Sequence, residues 1–261
     1  MQETVFKKMV SKGSRFNQVY VPKAMSGLIG VGDLVEVRLL EKHREIYYSK
    51  KQPRLNRFKE GMVNEIFGFL NKKAAYSCIF VVGSFLTKVY GFNDIDLVIL
   101  DDKEINAKRL EDALTKEFNQ KFHILAYKKE ELEKVLSYDP MIASMFSSYV
   151  SDRLIELKYG HKIDKKHILF LLMMPEDLLK ISLNPKAFYD SIRRLVTIEH
   201  FLEKKSLLIT NIDKEIEQLL GKDLYIAVKS NQLINDNEVE IIRGIIKEKV
   251  DRIKEWVKTK I

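Results

Sequence analysis

Residues 81–100, VVGSFLTKVYGFNDIDLVIL, constrain this chain more than any other stretch. A β-branched and aromatic run from Ser77 to Val82 ends at Gly83-Ser84, which reads as a strand entering a turn. A short helix or turn follows, Gly91 breaks it, and a second strand carries Asp94-Ile95-Asp96. Side chains on a strand alternate faces, so Asp94 and Asp96 project together while Ile95 and residues 97–100 supply apolar packing. Upstream, Phe58, Met62, Ile66, Phe67 and Leu70 recur at helical spacing between Asn56 and Asn71, predicting an amphipathic helix. A helix followed by a buried strand begins an α/β unit.

Two carboxylates side by side make each other's ionisation costlier, and a cation removes the conflict. Mg²⁺ suits such a pair because it takes oxygen ligands and keeps substrate phosphates in its shell. Gly83 permits close backbone approach, Ser84 offers a hydroxyl to a phosphate, and Lys88 adds a positive charge within the spacer. Together these residues suggest a metal-bound nucleoside triphosphate.

In these residues the stretch resembles the signature of the polymerase-β-like nucleotidyltransferase superfamily, and most of all its minimal prokaryotic members. The signature is an apolar residue, Gly and a small residue, then a spacer, then Asp-apolar-Asp. Here these are Val82, Gly83, Ser84, nine intervening positions, Asp94, Ile95 and Asp96. The resemblance covers about residues 53–160. It implies a mixed sheet with flanking helices, Asp94 and Asp96 as metal ligands, and Gly83 and Ser84 as the triphosphate-binding turn. The implied reaction is attack of an acceptor hydroxyl on the α-phosphate of a nucleotide. Positioning and charge neutralisation supply most of the catalysis in such transfers.

The chain departs from that pattern twice. The family usually adds a third carboxylate on a later strand, but the matching segment, Lys121 to Tyr127, has no Asp or Glu and places His123 there. Imidazole, with an unperturbed pKa of about 6.5, can serve as general base; the other reading is an ordinary strand residue. Relatives also carry a small residue, Arg and Gly soon after the Ser, where this chain has Phe85-Leu86-Thr87-Lys88. Retained nucleotide binding without turnover is therefore the alternative to an active enzyme.

Outside this core the expected organisation is a small β-module over residues 1–50, the nucleotidyltransferase-like domain over 51–160, and a helical bundle over 161–261. Strand-like pieces at Val5 to Val10, Asn17 to Val21 and Leu34 to Leu40 are separated by Gly-containing turns. Residues 19–42 resemble the swapped-hairpin modules of the AbrB and MazE type. That resemblance implies a homodimer and a DNA contact through Lys12, Arg15 and Lys23. Past residue 160 helices are expected from Asn184-Pro185 to about Lys205, from Asp213 to Leu220 with a stop at Gly221, and from Asn237 to Ile261.

A net charge of +8 favours anionic partners, but it is spread as +4 over residues 1–50, +1 over 51–150 and +3 over the remainder. Charge alone names no partner. The longest apolar run, Ile168 to Pro175, is far shorter than the roughly 18 residues of a membrane span. With no apolar leader and a single cysteine, Cys78, a reducing cytoplasm is the expectation. Cys78 lies in an apolar strand and reads as core. Arg194 and His200 have the loose spacing of the Arg and His of HEPN ribonucleases, against the simpler reading of helix-surface charges.

Overall fold

The structure, a computed structural model, describes residues 6, 8, 10–37, 45–87, 92–101, 105–181 and 183–259. The chain divides into two units, Met1–His43 and Arg44–Ile261. In the first, β1 (Ser11–Lys12) and β2 (Asn17–Gln18) form a short antiparallel hairpin, and Lys23–Met25 makes one 3₁₀ turn. None of the described residues of this unit is buried; Phe16, Leu28, Val31 and Leu34 are exposed. The segment Leu34–Val37 is not a strand, and residues 38–40 of that expected strand lie outside the described residues.

The second unit is mixed α/β. Its strands are β3 (Tyr47–Tyr48), β4 (Cys78–Val82), β5 (Asp94–Leu100), β6 (Lys121–Tyr127) and β7 (Val150–Ser151), ordered β3-β7-β4-β5-β6. All neighbours are antiparallel except β5 and β6, which run parallel. Because Tyr47 and Tyr48 pair with Ser151 and Val150, the second unit begins ahead of the turn at residue 50.

Helix α1 (Arg57–Lys73) begins where the Asn56 side chain accepts the Lys59 N–H, and α2 (Ala107–Phe118) where Asn106 accepts that of Arg109. Both pack on one sheet face, where Val63, Phe67 and Leu114 meet Ile79, Val81, Ile95, Leu97 and Phe122. The other face, carrying Cys78, Phe80, Val82, Val98 and Leu100, is covered by Leu132 and Leu136 of α3 (Lys129–Tyr138) and by Phe146, just past α4 (Pro140–Met145). The period-2 alternation thus divides β4 and β5 between two cores.

Five further helices form the C-terminal bundle: α5 (Lys165–Asp177), α6 (Pro185–Leu202), α7 (Ile209–Leu220), α8 (Lys222–Lys229) and α9 (Asp236–Thr259). The apolar stripe expected on the last helix is buried: Ile242, Ile246, Val250, Ile253 and Val257 share a core with Ile192, Leu195 and Val196 of α6. Among the described residues no helix is long and apolar enough to cross a membrane.

Candidate functional site

At the N-terminal end of β5, Asp94 and Asp96 lie on the sheet face whose farther positions are Val98 and Leu100. Those two are covered by α3 and Phe146, whereas Asp94 and Asp96 stay partly open. Val82 pairs with Asp96 across the antiparallel ladder, so the chain leaving β4 bends beside that carboxylate. The bend needs glycine. Gly83 has φ +79°, and a Cβ there would stand 2.4 Å from Asp96 Oδ2. A single 3₁₀ turn, Ser84–Leu86, follows, with Ser84 partly exposed.

Parallel pairing of β5 with β6 sets Asp96 opposite His123 and brings His123 Nε2 within 3.6 Å of Asp94 Oδ2. Asp94, Asp96, His123 and the Gly83-Ser84 bend therefore come together. Lys88 lies outside the described residues. Burial, and after it the charge of Asp94, push the Asp96 carboxyl up to about 6, against the opposite pull of His123 and Arg193. The ionised form of Asp96 is thus disfavoured, and a neighbouring cation would favour it.

Among the described residues no three His, Cys, Asp or Glu side chains converge on one metal position. Two carboxylates on one strand nonetheless fit Mg²⁺, which is commonly held by one or two carboxylates and completed by phosphate oxygens and water.

Two residues beyond the motif belong to the site's surroundings. Arg193 of α6, half-buried, brings a positive charge to Asp96 from the helical bundle, and its guanidinium makes no hydrogen bond or ion pair among the described residues. No periodicity in the sequence signals that approach. Lys59 of α1 is 2% exposed and donates from Nζ to the carbonyls of Phe85 and Thr87, both at 2.7 Å. Its sequence signal is its spacing: it precedes Val63, Ile66, Phe67 and Leu70 on the buried stripe, while Phe58, expected in that stripe, is exposed.

The remaining candidates are occupied in packing. His200 is buried, with its ring nitrogens 2.7 Å from the Ser206 carbonyl and 2.8 Å from Glu215, and Arg194 donates to the Leu171 carbonyl. His200 is thus not the surface charge expected of it. Burial pushes the Cys78 thiol up to about 12, which keeps it protonated and inert as a nucleophile.

No family model matches the chain, and no curated protein or solved structure matches it significantly.

Proposed function

We propose that this protein is a Mg²⁺-dependent nucleotidyltransferase that moves a nucleoside monophosphate from a nucleoside triphosphate to a hydroxyl acceptor. One observation carries the reading: two carboxylates share the open end of a strand face directly against a glycine bend that admits no side chain. Asp94 and Asp96 would hold Mg²⁺, and the Gly83-Ser84 bend would take the phosphate tail. Bound Mg²⁺ would neutralise charge on the phosphates.

In the proposed step an acceptor hydroxyl oxygen bonds to the α-phosphorus, the bond from that phosphorus to the bridging oxygen breaks, and pyrophosphate leaves with the electron pair. The hydroxyl proton passes to a base. His123, half-exposed beside Asp94, is the residue assigned to receive it, in place of a third carboxylate.

Incubation with Mg²⁺ and each of four α-labelled ribonucleoside triphosphates, with protein, nucleic-acid and small-molecule acceptors, tests the reading. Label is expected on one acceptor class and is expected to vanish in Asp94→Asn. Failure of the wild-type protein to bind any Mg²⁺-triphosphate overturns it.

A second reading is favoured by the absence of Asp or Glu from β6 and by the N-terminal unit, none of whose described residues is buried. In it the nucleotidyltransferase-like domain binds nucleotide without turnover, and the N-terminal unit pairs with a second copy or contacts DNA through exposed Arg15 and Lys23. DNA binding that weakens steeply with salt and disappears on removal of residues 1–43 is its expected signature. The cytoplasm is the compartment proposed for either activity.

A further inference from the structure

We infer that Lys59 is a positioning residue that sets the distance between the phosphate-binding bend and the metal-binding strand, and that it favours a triphosphate over a monophosphate. The inference rests on the nucleotidyltransferase reading.

Burying an ammonium is costly, and burial lowers the Lys59 pKa. A methionine of similar length would pack among the apolar neighbours without that cost. The ammonium is instead spent on the carbonyls of Phe85 and Thr87. The other carbonyls of the bend are also satisfied. Gly83 and Ser84 accept the N–H groups of Leu86 and Thr87, and Leu86 accepts from Gln52 Nε2 at 3.2 Å. Every carbonyl from Gly83 to Thr87 therefore has a donor, and two of the five depend on Lys59.

The same ammonium lies 5.2 Å from the centre of the Phe85 ring and 5.6 Å from that of Phe92. These rings meet edge to face at 4.8 Å. Phe85 follows Ser84 directly, and Phe92 precedes Asp94 by two residues. One buried cation thus ties together both ends of the spacer that separates the bend from the acid pair. It also places a fixed positive charge behind the bend. Each added phosphate of a bound tail would feel that charge, whereas a monophosphate would feel little of it.

Lys59→Met preserves the length of the stem and removes the charge and the donors. Titrations of each ribonucleoside triphosphate with Mg²⁺, and of the matching monophosphates, should show roughly tenfold or greater weakening for triphosphate and a change of less than about twofold for monophosphate. Circular dichroism and a melting curve accompany each titration. A lower melting temperature with an unchanged triphosphate-to-monophosphate ratio would make Lys59 merely structural and overturn the inference, leaving the proposed function intact. If wild type binds no Mg²⁺-triphosphate, both fall.

Should Lys59→Met fail to fold, Phe92→Leu removes one ring of the staple while keeping the carbonyl bonds. It is expected to weaken triphosphate about threefold or more and to spare monophosphate; equal affinities for both in wild type and variant would overturn the inference.

Discussion

Asp96 presses its carboxylate against the backbone of Gly83, so closely that position 83 has no room for a methyl group. The contact joins the end of β4 to the acid-bearing end of β5 through Val82 and its partner Asp96. It also couples the metal side of the site to the phosphate side, since moving either displaces the other.

Gly83→Ala should therefore damage both stability and binding. Alanine at φ +79° is strained and its Cβ would displace Asp96 Oδ2. A loss on the order of 1–3 kcal/mol in chemical denaturation is expected, together with loss of Mg²⁺-triphosphate binding by calorimetry.

Asp96 makes stability and metal affinity depend on pH with opposite signs. Its carboxyl titrates at about 6 in the folded chain against 3.8 ordinarily, so between those values the native state holds a proton that the unfolded state has released. The metal-free protein should gain stability as pH falls from about 6 towards 4 and lose that gain as pH rises again. Mg²⁺ favours the ionised form, so its affinity should fall as pH drops below about 6. Asp96→Asn should raise metal-free stability at pH 7 by on the order of 1–3 kcal/mol and abolish the Mg²⁺ effect. Melting curves at pH 5 and 8, with and without Mg²⁺, check both signs.

Arg193, whose charge acts on Asp96 from α6, is expected to contribute to binding. Arg193→Gln should weaken Mg²⁺-triphosphate by roughly tenfold, as for loss of one charge-assisted contact, and leave the melting temperature within about 2 °C, because the guanidinium makes no hydrogen bond or ion pair among the described residues. Arg194→Gln is the control, since its side chain bonds the Leu171 carbonyl. Equal losses in both variants would remove Arg193 from the site.

In the helical bundle, the buried Lys249 Nζ stands 2.5 Å from Glu199 Oε2 and 3.7 Å from Glu215. Lys249→Met leaves the buried Glu199 carboxylate only the longer ion pair from Arg252, at 3.6 Å, and should cost up to about 3–5 kcal/mol in urea denaturation. Adding Glu199→Gln should recover much of that loss without affecting nucleotide titrations.

What was legible in the sequence was what neighbouring residues determine among themselves. Strand alternation put Asp94 and Asp96 on one face, α1 falls where apolar spacing between Asn56 and Asn71 predicted a helix, Asn184 capped α6 as its sequence position indicates, and β6 spans the same residues, Lys121–Tyr127, in pattern and in structure. Short-range regularity was less informative where an element has little of it. The two-residue strand β3 acquires its identity from β7 about a hundred positions away, and β7 also from β4, whereas Leu34–Val37 has strand-like residues but no ladder partner among the described residues.

The site divides along the same line. Its acids and its bend could be read from sequence because steric rules act within a few residues, through the alternation of a strand and the φ that only glycine tolerates. The placement of His123 beside Asp94 depended on the register of two parallel strands. The burial of Lys59 depended on which carbonyls lay 26 and 28 residues away, and the approach of Arg193 on how α6 packs. Those are long-range contacts, whose partners no local pattern names, so only the folded chain decided them.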